Sequence, residues 1–179
     1  MQLALFVTSA TWFVASDILA GRSARGLSER FGLDAERPLL AALFLLFLLA
    51  VGFSILQAIA HRHSSLREVL GLPMRSTSRR EWTLGVAVGW GCVVLAILPM
   101  TLTGKLDVQL WLQARAIWLL LLNLVTLGIA ALAEEVAFRG YPFRRLIEAI
   151  GPVAATIGMS LLFGLGHALN PGLPGPAFL

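Results

Sequence analysis

Two adjacent carboxylates, Glu134 and Glu135, lie near the end of a long apolar run, and Arg139 follows shortly after them. A charged side chain inside a membrane span costs roughly 2.5–3.5 kcal/mol on insertion scales, so a carboxylate pair there requires a specific role. On a helix, Glu135 and Arg139 are one turn apart and can form an ion pair that lowers the cost of both charges. Glu134 is displaced by about 100° around the same helix and is expected to face a different neighbour. Glu134 is therefore the carboxylate left over for chemistry.

His167 is the candidate partner of Glu134. A break at Gly151 and Pro152 separates the two apolar runs and predicts a turn between antiparallel helices. Counted from that turn, Glu134 and His167 both lie roughly 24 Å along their helices, although Pro142 is expected to kink the first one. A Glu and a His held together in a membrane can deprotonate a water or bind a divalent metal. The same pair can equally be a hydrogen bond that fixes helix register.

The composition indicates that most of the chain is embedded in a membrane. Of the 179 residues, 58% are hydrophobic and 13% are charged, whereas soluble domains have roughly 45–50% and about 25%. We therefore predict an all-α, polytopic transmembrane helical bundle. The net charge of +4 is modest and no nucleic-acid-binding motif accompanies it, so the expected partner is membrane lipid and not nucleic acid.

Five apolar stretches come close to the roughly 20 residues that a membrane-spanning helix needs. They are approximately 3–20, 38–60, 82–102, 116–138 and 152–169. The segment after residue 20, with Arg22, Arg25 and Arg30, is expected to form the first external loop. The distribution of Lys and Arg over the connections predicts a multi-pass integral membrane protein with a cytoplasmic N-terminus, in the plasma membrane if the source is bacterial.

Two short motifs resemble those of the CPBP family of intramembrane endopeptidases (CAAX protease and bacteriocin-processing, also called Abi). The run EEVAFRG at 134–140 resembles the EExxxR motif of that family, and FGLGH at 163–167 is similar to its second motif, FxxxH. The similarity covers roughly residues 65–171 and includes the LGL segment at 70–72. Each motif alone is loose, but both occur in the expected order on consecutive apolar helices.

The resemblance implies a helical membrane enzyme that cleaves peptide bonds, next to a prenylated cysteine in the eukaryotic branch of the family. It implies that Glu134 activates the attacking water and that His167 helps to hold the water or a metal ion. By the same resemblance Glu135 and Arg139 are a supporting pair, and Phe163 shapes the cavity.

Further expectations concern the ends of the site and its cofactor. Asn170, which together with Pro171 ends the fifth helix, is grouped with Phe163 as a residue of the substrate cavity. A divalent metal, with zinc as the candidate, would be held by Glu134 and His167. The partners implied are membrane lipid and a peptide or lipidated protein substrate.

The expected domains are an N-terminal two-span hairpin at 1–64 and a CPBP-like catalytic core at 65–179. The family has a third motif, His-x-x-x-Asn or Asp, on a later span, and this sequence contains no such pattern after His167. We therefore expect a core that is incomplete at its C-terminus, either as a piece of a longer protein or as a degenerate member. The leading function is an intramembrane endopeptidase, and the alternative is an inactive binding, immunity or scaffold protein of the same fold. A small transporter is disfavoured because the polar residues concentrate on two spans.

Overall fold

The computed structural model describes residues 1–60, 65–72, 76, 78–106 and 111–168. Within these ranges the regular structure is entirely helical, which confirms the all-α fold class. The helices are α1 (Gln2–Phe31), α2 (Arg37–Ile59), α3 (Leu66–Val69), α4 (Ser78–Leu102), α5 (Ala114–Arg139), α6 (Tyr141–Ile150) and α7 (Pro152–Ala168).

Among the described residues, four helical segments are long and apolar enough to cross a membrane. They are Gln2–Phe31, Arg37–Ile59, Ser78–Leu102 and the combined stretch Ala114–Ile150. The fifth predicted span corresponds to α7, an apolar helix of 17 residues over the part of it that is described. That length is at the lower limit of the roughly 17–25 residues that membrane helices use. The chain is thus a helical membrane protein, and its described residues include four full-length candidate spans and one shorter apolar helix.

The first helix is longer than the sequence suggested. It has 30 residues and carries Arg22, Arg25 and Arg30, so the segment that was expected to be a loop is helical. At about 1.5 Å per residue, α1 is about 45 Å long and exceeds the roughly 30 Å of bilayer hydrocarbon. The helix ends only at Gly32, whose φ of 67° is left-handed and whose N–H donates to the carbonyl of Ser28. Hydropathy falls before the helix ends, because polar residues continue a helix as readily as apolar ones.

Helices α1 and α2 form a tightly packed hairpin. The indole Nε1 of Trp12 donates a hydrogen bond of 2.9 Å to the carbonyl of Leu48. The ring lies where a Cβ on Gly52 would be, so only glycine at that position admits the tryptophan. Small buried side chains on α1 (Ser9, Ser16, Ala20, Ala24 and Ser28) let the backbones approach closely.

The chain divides into two compact units, which do not coincide with the division expected at residue 64. One unit comprises Met1–Leu72 with Leu121–Leu179, and the other comprises Pro73–Leu120. The second unit contains α4, on which none of the residues is buried within the described chain. The hairpin and core division and the cytoplasmic N-terminus stay predictions.

A break at Gly140 separates α5 from α6, two residues before the kink expected at Pro142. Gly140 has φ −79° and ψ −130°, outside the helical region, and α6 begins at Tyr141. Pro142 occupies the first turn of α6, where its missing N–H removes no helical hydrogen bond. The level of Glu134 relative to the turn after Ile150 therefore cannot be counted along one continuous helix.

Close backbone approach explains why residue 140 is a glycine. A Cβ there would collide with the carbonyl oxygen of Val136 and lie 3.0 Å from that of Leu70. Gly71, with φ +74°, is in close backbone contact with Gly140, because a Cβ on Gly71 would lie 2.9 Å from the Cα of Gly140. The turn after α3 thus packs directly on the end of α5.

We expect Gly140→Ala to destabilise the protein by about 1–3 kcal/mol, because the atoms that the new methyl meets are backbone atoms that cannot rotate away. Gly128→Ala, on the same helix, is the matched control. A Cβ at Gly128 meets nothing within 4 Å in the described chain, and replacing a helical glycine by alanine gains about 0.5–1 kcal/mol. Thermal unfolding in detergent measures both variants. Equal midpoints for the two would contradict the close approach at Gly140.

Candidate active site

The C-terminal half of α5 has one buried face and one open face. Ala133, Val136 and Ala137 are buried in the core that also contains Phe53 of α2 and Tyr141 of α6. This packing fixes the rotation of α5 about its axis. The residues at helical spacing on the other face (Ala131, Glu134, Glu135, Phe138 and Arg139) consequently line a cavity.

The cavity lies between α5, α6 and α7 and has a volume of about 450 Å³. Beyond the five residues of α5, its lining residues are Phe143, Thr156, Met159, Ser160 and Phe163. Three phenylalanine rings and a methionine thus surround two carboxylates and a guanidinium. Such an apolar pocket with a few convergent polar groups is the usual form of a small-molecule or peptide site.

The ion pair predicted between Glu135 and Arg139 is confirmed. The Nη1 atom of Arg139 lies 3.2 Å from Oε1 of Glu135. The two side chains are 74% and 48% exposed in the isolated chain. The ion pair engages the carboxylate of Glu135 and leaves that of Glu134 outside it.

Glu134 makes no hydrogen bond or ion pair with any residue that the structure describes. Glu134 forms no ion pair with Arg139, the partner of Glu135, although both carboxylates line the same cavity, and the neighbour that Glu134 faces stays a prediction. The 100° between them is about the width of the apolar stripe of a helix, and the cavity is wide enough to include both. Glu134 thus lies in the cavity as an acceptor with no partner in the described chain.

The imidazole of His167 is oriented by its own helix. Its Nδ1 lies 3.0 Å from the carbonyl oxygen of Phe163, one turn earlier on α7. A carbonyl oxygen only accepts hydrogen bonds, so Nδ1 carries the proton and donates it. In the neutral ring Nε2 then holds the free lone pair. The ring also lies against Phe163, with 4.2 Å between the ring centroids.

Phe138 links the two motif-bearing helices. Its ring meets that of Phe163 edge to face, with 5.1 Å between the centroids. Phe163 lines the cavity together with Glu134, and His167 lies one turn beyond Phe163 on α7. The opposition of Glu134 and His167 across the helix pair stays a prediction.

Several cavity residues lie outside the two motifs. They are Phe143, Thr156, Met159 and Ser160. Helical spacing from the motif residues would have found the last three, since they precede Phe163 by three, four and seven positions on one face of α7. Asn170, expected in the substrate cavity, lies outside the described residues.

The described side chains do not by themselves complete a zinc site. Catalytic zinc takes three protein ligands, whereas no group of three or more His, Cys, Asp or Glu side chains is close enough to hold a metal among the described residues. Glu134 and His167 could supply two.

Comparison with protein families identifies the segment that carries both motifs. Residues 115–179 match the family model described as Rce1-like, type II CAAX prenyl endopeptidase Rce1-like. The match covers α5, α6 and α7, which together surround the cavity. Neither the curated proteins nor the solved structures give a match. The two motifs and the family model coincide on the same helices, so the segment 115–179 is similar to the type II CAAX prenyl endopeptidases.

Proposed function

We propose that this protein is an intramembrane endopeptidase in which Glu134 is the general base. The observation that carries the proposal is a carboxylate without a partner in the described chain, lying in an apolar cavity beside an engaged carboxylate. A carboxylate that accepts no protein hydrogen bond is available to a water molecule. The family match supplies the reaction class, which is hydrolysis of a peptide bond.

In the proposed reaction a water bound by Glu134 attacks the carbonyl carbon of the scissile peptide bond. Glu134 takes one proton from this water as the new C–O bond forms, which gives a tetrahedral intermediate. Glu134 then returns the proton to the amide nitrogen as the C–N bond breaks. The products are a carboxylic acid and an amine, which become a carboxylate and an ammonium group by proton transfer between them, and Glu134 is regenerated as a carboxylate.

In this proposal His167 orients the same water molecule. Because Nδ1 donates to the carbonyl of Phe163, the lone pair on Nε2 can accept a hydrogen bond from the water. Counting from the contact between Phe138 and Phe163 supports this role. Glu134 precedes Phe138 by four residues, and His167 follows Phe163 by four. If the two helices are antiparallel, both side chains therefore lie about 6 Å from the aromatic contact, displaced in the same direction along the helix axes.

A membrane binding protein without catalytic activity is the second candidate. The small number of possible metal ligands favours this function. No group of three or more His, Cys, Asp or Glu side chains that could hold a metal occurs among the described residues. In that function the cavity would hold a peptide segment through its aromatic wall. An immunity or scaffold role would need binding and no bond cleavage.

The two functions separate in an assay of the full chain in liposomes. Single-span peptides, both farnesylated and unmodified, are incubated with the protein in H₂¹⁸O, and the products are identified by mass spectrometry. The proposal expects a new C-terminus that carries one ¹⁸O atom, and no cleavage by the double variant Glu134→Ala, His167→Ala. Equal cleavage by wild type and double variant, or peptide binding by the wild type without any cleavage, would overturn it.

A further inference from the structure

An unbroken series of aromatic contacts connects α1 to His167. The ring of Phe13 meets Phe138 edge to face at 5.4 Å between centroids, and Phe138 meets Phe163 in the same way at 5.1 Å. Phe163 in turn lies 4.2 Å from the imidazole of His167. The series thus runs from α1 through α5 to α7.

Two further contacts hold α1 against the helices of the site. Phe6 packs on the cluster formed by Leu146 of α6 with Ala155 and Met159 of α7. At the start of α1, the Oε1 atom of Gln2 accepts a hydrogen bond of 3.1 Å from Nη1 of Arg145, a buried residue of α6. Near its start, α1 thus contacts α6 and α7 through residues that lie outside the aromatic series.

The orientation of an imidazole ring needs more than one contact. The torsion of a histidine ring about its Cβ–Cγ bond is broad, so the hydrogen bond to the carbonyl of Phe163 leaves the ring plane partly free. The face of Phe163 restricts that plane, and Phe163 is itself held by the edge of Phe138. Edge-to-face aromatic pairs contribute about 0.5–1.5 kcal/mol each beyond the area they bury, which is enough to favour one ring orientation.

We infer that Phe13 is a positioning residue for His167, acting through Phe138 and Phe163, so that α1 belongs to the working catalytic unit. The inference rests on the proposed function and extends it to a helix that lies outside the matched segment 115–179. Phe13 touches no reacting atom. Its effect is the placement of Nε2 of His167 at the water.

The test compares Phe13→Leu with Phe6→Leu in the full chain. Both changes replace a partly buried ring of α1 by a smaller apolar side chain, but only Phe13 belongs to the aromatic series. Because a misplacement of about 1 Å can cost about 100-fold in rate, we expect Phe13→Leu to lower kcat about 10- to 100-fold with KM unchanged. Phe6→Leu is expected to stay within about twofold of wild type below its unfolding temperature.

Two additional measurements separate positioning from general packing. In the double variant Phe13→Leu, Phe163→Leu the loss should equal that of Phe163→Leu alone, because Phe13 acts through Phe163. The proton resonances of the His167 ring, assigned by their disappearance in His167→Gln, should shift in Phe13→Leu and not in Phe6→Leu.

The outcomes for the inference and for the proposed function are distinct. If wild type cleaves peptide and the two leucine variants lose equal activity, the positioning role of Phe13 is overturned and the peptidase function stands. If wild type cleaves no peptide, the proposed function fails. The His167 resonances then decide the structural part, and an unchanged His167 spectrum in Phe13→Leu overturns it.

Discussion

Glu134→Gln is expected to lower kcat for peptide hydrolysis about 10²- to 10⁴-fold, with little change in KM. The amide has nearly the same size as the carboxylate and can still contact a water, but it cannot accept the proton. General-base catalysis by a positioned side chain is typically responsible for a factor of that size. Initial rates at several substrate concentrations, measured in liposomes with matched protein amounts, give kcat and KM separately.

The neighbouring carboxylate provides the sharpest comparison. Glu135→Gln removes the ion pair with Arg139, whose two partners are largely exposed in the isolated chain. Because Glu135 takes no proton in the proposed reaction, the expected loss in kcat is at most about fivefold. Glu29→Gln, at an exposed position on α1 away from the cavity, controls for the general effect of removing a carboxylate.

The ranking of these variants decides which carboxylate is the base. A larger loss in Glu135→Gln than in Glu134→Gln would transfer the role of base to Glu135, since both side chains line the same cavity. Losses of similar size in all three variants would indicate a general effect on the folded protein and remove both residues from catalysis.

Local spacing allowed the central part of the site to be predicted from the sequence. The pair Glu135 and Arg139 is determined by the i, i+4 geometry of any helix, and the structure places their charged atoms 3.2 Å apart. The apolar composition fixed the helical membrane fold for a similar reason, because an unbroken apolar run in lipid must satisfy its backbone internally. Both features depend on residues that are close in the sequence.

Features that depend on tertiary contacts were not predictable in the same way. The break at Gly140 was expected at Pro142, because proline is the stronger signal in a sequence. The position of the break is set by the turn at Leu70 and Gly71, which packs on Gly140 from a distant part of the chain. Nothing in the local sequence at 134–142 specifies that neighbour.

The cavity wall and the extent of α1 show the same limitation. Phe13 and Phe138 read as two more apolar residues of membrane spans, and only the packing of the helices makes them neighbours. The end of α1 was placed too early because hydropathy reports contact with lipid and not the continuity of a helix. Gly32, which does end the helix, is the C-terminal capping signal that the sequence contains at this point.

Replacing His167 by asparagine is expected to lower kcat about 10²- to 10⁴-fold, as much as replacing it by alanine. The asparagine amide lies near the position of Nδ1 and can still donate to the carbonyl of Phe163, but it has no group at the position of Nε2. In the proposed reaction only Nε2 of His167 contacts the water. Retaining the hydrogen bond of Nδ1 should therefore restore no activity.

Glutamine at position 167 separates hydrogen bonding from proton transfer. Its longer amide reaches the position of Nε2 and its oxygen can accept a hydrogen bond from the water, but it cannot take up a proton. If His167 only orients the water for Glu134, His167→Gln should recover about tenfold or more of the activity lost in His167→Asn. If His167 is itself protonated during the reaction, glutamine and asparagine should be equally inactive. Wild-type activity in His167→Asn would exclude Nε2 from the mechanism, and Glu134 would then act on the water without this histidine.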